Sequence, residues 1–142
     1  MFNTKIDPAK IAAFEATDYR VGSDIHTMTL RIGKHAPLLH ALFQEAGVDC
    51  GLVITAFNPF GEQRDLASNL VAQMQLEKEL RSLVPMVLAA EGADPTGAWP
   101  PEPSFFALGI NRGTARLLGI QYLQDAVVWI GSEAIPELII LR

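Results

Sequence analysis

The sequence predicts a single α+β domain over residues 1–142, in which a mixed β-sheet of about seven strands is covered by helices. Short apolar runs rich in β-branched and aromatic residues predict the strands, and leucines at helical spacing predict the helices. After a leading helix, the predicted order ββαβαββαββ combines hairpins with crossover units, which is typical of a mixed sheet. No repeat, low-complexity tract or linker divides the chain.

Helix signals occur four times, each a capping side chain or a proline in front of an apolar pattern. The predicted helices cover about residues 8–14, 37–46, 66–83 and 112–118. Asp65 and Asn111 are the predicted N-caps of the last two helices, and Gly47 and Gly119 are the predicted C-terminal caps of the second and fourth.

The predicted strands cover about residues 19–21, 25–32, 51–57, 85–90, 104–110, 124–130 and 137–141. Turn-forming residues at 22–24 and 131–134 predict two hairpins. The run Gly51–Phe57 is apolar almost throughout, which favours a central strand, and it ends at Asn58-Pro59 because proline stops a strand.

The third predicted helix contains two amides on its apolar side. At helical spacing, Asn69 and Gln73 fall in the middle of a broad apolar face that is formed by Leu66, Leu70, Leu76, Leu80 and Leu83. A buried amide without partners costs about 1–3 kcal/mol, so both side chains are expected to have hydrogen-bond partners. Those partners are either a ligand or the irregular backbone at a strand end.

Composition limits the classes of function. A formal net charge of −5 argues against a nucleic-acid-binding protein, and no run of about 18 apolar residues suits a membrane span. A single cysteine, Cys50, and an N-terminus without an apolar leader favour a cytoplasmic protein. A hydrophobic content of 49% leaves room for self-association.

A candidate site follows from the end of the central strand. Asn58 ends that strand and Asn69 lies in the first turn of the next helix, and such strand-to-helix junctions often bind ligands at the free N–H groups of the helix. The expected ligand is a small polar molecule or an anion. Glu102 and Ser104 lead into a later strand and could reach the same rim. The alternative is ordinary turn chemistry at Asn58 and a solvated loop at Glu102.

Further residues complete this candidate site. Trp99 is a possible wall, Arg112 or Arg64 a charge partner, and Gln73 and Gln124 additional polar contacts, although Gln124 also suits a turn.

As an enzyme, the chain would use Glu102 as general acid or base, because an apolar wall such as Trp99 raises a carboxyl pKa. Glu91 is a second candidate. Ser104 would be a nucleophile only beside an activating base, so hydrolysis or group transfer is the corresponding hypothesis.

No cofactor or metal is predicted. The sequence lacks a glycine-rich phosphate loop, a nucleophile elbow and a dinucleotide fingerprint. His26, His35 and His40 lack metal-ligand spacing with one another or with Cys50.

Four short motifs carry a family resemblance. They are Thr17-x-Tyr19-Arg20-Val21, Ile54 to Pro59 followed by Asn69, Trp99-Pro100-x-Glu102-x-Ser104, and Gln124 to Trp129. With these motifs the chain resembles a small bacterial family, the domain of unknown function 3293. The family pattern more often has Trp at the position of Phe57 and Asn at that of Asp125, so Asp125 introduces a charge. The resemblance implies no activity.

A rival hypothesis is a non-catalytic interaction protein that acts as a homodimer. The run 137–141 contains little charge and would present an exposed strand edge at which a second copy could pair.

Overall fold

A computed structural model describes residues 4–22 and 28–142. Over these residues the helices are α1 (Pro8–Ala16), α2 (Pro37–Ala46), α3 (Leu66–Leu83) and α4 (Arg112–Gln121). The strands are β1 (Asp18–Val21), β2 (Met28–Leu30), β3 (Gly51–Ile54), β4 (Val87–Ala93), β5 (Glu102–Leu108), β6 (Ala126–Ile130) and β7 (Pro136–Ile140). The order of elements is the predicted one, and the α+β class is confirmed. The first predicted turn and the predicted start of β2 at Ile25 fall largely at 23–27, outside the described residues.

The strands form one sheet in the order β2-β1-β4-β5-β3-β6-β7, and each neighbouring pair is antiparallel. The predicted mixture of parallel and antiparallel pairs is therefore wrong. The crossovers through α3 and α4 do join strands of the same direction, but another strand lies between them: β5 separates β3 from β4, and β3 separates β5 from β6. The central placement predicted for β3 is confirmed.

Helices cover both faces of the sheet. Leu39 and Phe43 of α2 pack on one face with Val53, Phe106 and Val128. On the other face, Leu76 and Leu80 of α3 and Leu118 of α4 form a second cluster with Leu52 and Ile54. Both faces of β3 are therefore buried, which explains its apolar sequence.

Strand β3 is shorter than predicted because the ladder that it forms with β5 stops early. The β3 and β5 ladder ends at Ile54 and Phe105, so β3 does not continue to Phe57. Two residues further on, β5 contains Pro103, which has no N–H to donate to a ladder. From Thr55 onwards the chain leaves the sheet and enters a turn of 3-10 helix at Pro59–Gly61.

Helix α3 uses a narrower buried face than predicted. Asn69, Gln73, Leu76 and Leu80 are buried, as expected. Leu66, Leu70 and Leu83, in contrast, are 64%, 47% and 50% exposed. The buried face is the one that contains the amides, because α3 packs against the strand end where those amides find backbone partners.

Helix α4 extends past its predicted end. Gly119 was expected to cap it, but the helix runs to Gln121. A Cβ at Gly119 would lie 2.9 Å from Val127 Cγ1 and would also overlap Leu141, so this glycine allows close packing of helix on sheet. Leu123, with φ of 57°, takes the left-handed conformation instead.

A Leu83→Gln substitution tests this assignment of the α3 faces. Since Leu83 is half exposed, the free energy of unfolding should change by no more than about 0.5 kcal/mol in urea denaturation. Leu70→Gln, also on the exposed side of α3, should change the free energy of unfolding equally little. A loss above about 1.5 kcal/mol in both variants would support the broad buried face that the sequence suggested.

Candidate functional site

The Gln73 side chain joins β3 to β5 at the point where their ladder ends. Its Oε1 accepts from Ala56 N at 2.8 Å, and its Nε2 donates to Pro103 O at 3.0 Å. Thr55 Oγ1 also donates to Pro103 O, at 2.7 Å. The amide thus bridges Ala56 N–H and Pro103 C=O beyond the end of the ladder, and Gln73 has a structural role at this junction.

Asn69 holds Asn58 through a reciprocal pair of bonds. Asn58 N donates to Asn69 Oδ1 and Asn69 Nδ2 donates to Asn58 Oδ1, both at 2.9 Å. Arg64 N donates to the same Asn58 oxygen at 3.0 Å. The buried amides of Asn69 and Gln73 therefore bond backbone groups and the Asn58 side chain, so their partners lie within the chain. Asn58 is left-handed, with φ of 46°, a conformation that asparagine tolerates well.

A cavity of about 220 Å³ lies beside this junction, at one end of the sheet and beneath α1. It is bounded by the ends of β3 and β4 and the beginnings of β1, β5 and β6. Its polar lining residues are Lys10, Thr17, Tyr19, Thr55, Asn58, Glu102, Ser104, Gln124 and Asp125. Its aromatic lining residues include Phe14, Phe57 and Trp99.

Most of the residues predicted for the site meet at this cavity. Asn58, Trp99, Glu102, Ser104 and Gln124 all line it. Asn69 and Gln73 stand behind it and fix the junction. Gln124 Nε2 donates to the carbonyl oxygens of Phe57 and Tyr122, each at 3.2 Å, so its amide also supports the rim.

Arg112 lies away from the cavity, which corrects its proposed role as charge partner. It begins α4, after the far end of β5, whereas Glu102 and Ser104 begin that strand. A strand of this length separates the two ends by roughly 20 Å. Arg112 pairs with Glu137 and lies 5.7 Å from the ring centroid of Trp129.

Glu102 is the acidic side chain of the cavity that has the fewest partners. It is half-buried, and its one side-chain hydrogen bond in the described part of the chain comes from Asn58 Nδ2, at a long 3.4 Å. Burial raises the pKa of the Glu102 carboxyl, and the Asn58 bond opposes that rise. Such a group suits proton transfer or the binding of a donor.

The hydroxyl groups around Glu102 already donate to backbone. Thr17 Oγ1 donates to Ala13 O at 2.7 Å, and Tyr19 Oη donates to Phe14 O at 2.9 Å. Burial raises the pKa of the Tyr19 phenol. Ser104 Oγ donates to Glu102 O at 3.2 Å, and no histidine of the described residues lines the cavity. Ser104 therefore lacks the base that a nucleophile requires.

Three charged residues form a cluster at the α1 side of the cavity. The Asp125 side chain is 3% exposed and contacts Lys10 through Oδ2, while Arg142 donates to its Oδ1 at 2.6 Å. No donor in the described chain is aligned on Oδ2 for a hydrogen bond, so Lys10 acts there as an ion-pair partner. Lys10 also donates to Phe60 O at 3.1 Å, across the close approach that Gly61 allows.

Sequence reasoning missed several lining residues. Lys10 lies in α1, Thr17 caps that helix and Tyr19 lies in β1, and no pattern placed these elements beside the β3 junction. Thr17 and Tyr19 did appear in one of the motifs of the resemblance. Nothing in the sequence marked Lys10, because a single lysine in a short helix usually faces solvent.

Residues 4–22 and 28–142 contain no group of three histidine, cysteine, aspartate or glutamate side chains that could hold a metal ion. His26 lies outside the described residues. Within the same residues, none of the helices combines the length and apolarity that crossing a membrane demands.

Among known protein families, the chain matches the one described as "Protein of unknown function (DUF3293)". The match covers residues 54–127, just over half of the chain. The chain belongs to the DUF3293 family. The resemblance noted from the motifs is thus confirmed. No curated protein and no solved structure gave a significant match.

The part matched to DUF3293 contains the β3 junction and most of the cavity. It begins at Ile54 and ends at Val127, so it includes Asn58, Glu102 and Asp125. It excludes α1 and β1, and with them Lys10, Thr17 and Tyr19. In this chain, residues outside the matched range therefore close one side of the cavity.

The raised pKa of Glu102 predicts a pH-dependent effect on stability. Between its unfolded and folded pKa values the folded chain holds the proton more tightly, so this group lowers stability as pH rises through that window. At about pH 8, Glu102→Gln should therefore be more stable than wild type, by about 1.4 kcal/mol for each unit by which the Glu102 pKa is raised. At about pH 4 the two should be equally stable. Urea denaturation at both pH values measures this difference. Equal stability at both would contradict the assigned shift, and the exposed Glu62→Gln is the matched control.

Proposed function

We propose that this chain binds a small polar molecule in the cavity at the end of β3. The supporting observation is Glu102, a half-buried carboxyl with a single long hydrogen bond inside a cavity of mainly apolar lining. A buried ionisable group without full partners is unfavourable unless a ligand completes it. Asn58, held by Asn69, orients this carboxyl.

The same contacts favour a neutral or positively charged molecule over the anion that the sequence suggested. The nearby cations Lys10 and Arg142 are both paired with Asp125. At the start of α3 the N-cap Asp65 already accepts from Ser68 N. An anion in the cavity would meet the Glu102 carboxylate, while both nearby cations of the described chain already contact Asp125.

Hydrolysis is a second candidate function, favoured by the raised pKa of Glu102. In this proposal Glu102 takes a proton from a water molecule that attacks the bound ligand, and returns that proton to the leaving group as its bond to the ligand breaks. Ser104 keeps the role of a lining group, since its hydroxyl donates to Glu102 O. Loss of turnover in Glu102→Gln, with turnover retained in Ser104→Ala, would be the expected result in an assay of any hydrolysable ligand.

A panel of small metabolites tests the binding proposal. Ligands at a hundred times their Kd should stabilise the wild type by about 2.7 kcal/mol in thermal or urea denaturation. Gly92→Leu should abolish this effect by filling the cavity, because Gly92 forms part of its floor between Tyr19 and Glu102. Gly92→Ala is the control, since its Cβ would lie at ordinary contact distances of 3.6 Å and more.

A second filling variant covers the case in which Gly92→Leu fails to fold. Ala13 is exposed on α1 and borders the cavity, so Ala13→Phe adds bulk there without overpacking a core. The proposal fails if no metabolite stabilises the wild type, or if the stabilisation survives in both filling variants.

Homodimer formation is the rival proposal, and it is supported by the edge position of β7. This strand ends the sheet, and Ile140 and Leu141 are partly exposed. Size-exclusion chromatography with light scattering would give twice the mass of 15.5 kDa for a dimer. Glu137→Lys with Ile140→Lys should then yield the monomer.

The absence of nucleic-acid binding, the bacterial source and the cytoplasmic location stay predictions. The first follows from the net charge of −5, and the others from the resemblance and the single cysteine. A salt titration with duplex DNA checks the first directly, and binding at physiological salt would contradict it.

A further inference from the structure

The polar side chains inside the cavity are mostly acceptors. The hydroxyls of Thr17, Tyr19 and Ser104 each donate to a backbone carbonyl, so each has only lone pairs left for a ligand. The Thr55 hydroxyl likewise donates to Pro103 O. The interior therefore suits a molecule that brings its own donors.

The donors that do face the cavity already have acceptors. Asn58 Nδ2 donates to Glu102, and Gln124 Nε2 donates to two carbonyl oxygens. The Lys10 ammonium donates to Phe60 O and contacts Asp125. Trp99, whose indole carries a further N–H donor, is 41% exposed.

The charged groups around the cavity also favour a ligand that brings hydrogen-bond donors. Among the described lining residues, Lys10 and Asp125 neutralise each other, and Arg142 adds a second cation to that cluster. Glu102 forms no ion pair within the described chain, and its polar partner is Asn58. Two cations on one carboxylate give that cluster a surplus positive charge, whereas Glu102 is the cavity carboxylate that no described cation pairs with.

Aromatic rings supply part of the apolar wall. Phe14, Tyr19, Phe57 and Trp99 line the cavity. Ring faces attract cations and pack well against flat apolar groups, and each such cation contact contributes about 0.5–2 kcal/mol. A volume of about 220 Å³ holds roughly seven water-sized groups, which suits one ring with a short side chain.

We propose that the ligand of this cavity is a small primary amine with an apolar or aromatic body, whose ammonium group binds the Glu102 carboxylate. The acceptor-rich interior, the Glu102 carboxylate without an ion pair and the aromatic rings support this class of ligand together. This inference rests on the proposed binding function and narrows it to one chemistry. Thr17 and Ser104 are placed to accept the remaining ammonium protons.

Three matched probes test the inference on the full chain. Phenethylamine, 2-phenylethanol and 3-phenylpropionate share a ring and differ mainly in their polar end. Isothermal titration calorimetry should give the amine an affinity at least about tenfold above those of the alcohol and the acid. In Glu102→Gln the amine should lose that advantage, while the alcohol should bind as it does to wild type.

Each other outcome counts against the inference. Equal or tighter binding of the alcohol or the acid overturns it, and so does an amine preference that survives in Glu102→Gln. If none of the three probes binds, the amine class is overturned. The broader binding function fails only if the metabolite panel also gives no stabilisation that the filling variants remove.

Discussion

Replacing Lys10 and Arg142 together by methionine is expected to destabilise the chain by about 3 kcal/mol. Both cations contact Asp125, whose side chain is 3% exposed, so the double variant leaves a buried carboxylate without a partner. Breaking a buried ion pair in this way costs about 3–5 kcal/mol. The lower end applies here because each cation is 36% exposed and water can partly replace it. Urea denaturation at neutral pH measures the loss.

The matched control carries Asp125→Asn in addition. Asparagine removes the charge but keeps the shape, so the triple variant should recover most of the lost stability. Asp125→Asn alone should cost less than the double variant, because the two cations left behind can reach solvent. A double variant as stable as wild type would show that the cluster contributes nothing to folding.

Gln73→Leu is expected to cost about 2–4 kcal/mol. The substitution replaces the amide by an apolar side chain of similar size and leaves Ala56 N–H and Pro103 C=O without their present partner. Each buried group left unpaired costs about 1–3 kcal/mol. Thr55 Oγ1 continues to bond Pro103 O, so the Ala56 N–H should account for most of the loss. In a domain of this size the melting temperature should fall on the order of 10 °C.

The control is the same change two residues further along α3. Gln75 is exposed, so Gln75→Leu should alter the free energy of unfolding by about 0.5 kcal/mol or less. Comparable losses in the two variants would mean that leucine disfavours this helix for another reason, and the bridging role of Gln73 would be wrong.

Much of the fold could be predicted from local sequence. The buried amides at Asn69 and Gln73, the caps at Asp65 and Asn111 and the apolar run of β3 each depend on residues close in the chain. Those signals gave the order of elements and the β3 junction. They also predicted that Asn58 and Asn69 lie together, and the two side chains are hydrogen-bonded.

Strand order and the closed side of the cavity could not be predicted in this way. Whether a crossover helix joins neighbouring strands or skips one depends on long-range pairing, and here β5 and β3 each fill such a gap. The position of α1 over the cavity likewise depends on contacts far apart in sequence, such as that of Lys10 with Asp125. The exposure of Leu66 and Leu83 likewise depends on how α3 packs on the sheet, and apolar spacing alone did not predict it.

The most direct test of the central claim follows the two tryptophans of the chain during a titration with phenethylamine. Trp99 borders the cavity, whereas the indole of Trp129 donates to Ile110 O at 2.9 Å and lies outside it. In ¹⁵N-edited NMR spectra, assigned with Trp99→Phe, the Trp99 indole signal should shift and saturate while the Trp129 signal stays in place. A Trp99 signal that does not move, or equal shifts of both signals, would contradict a binding site beside Glu102.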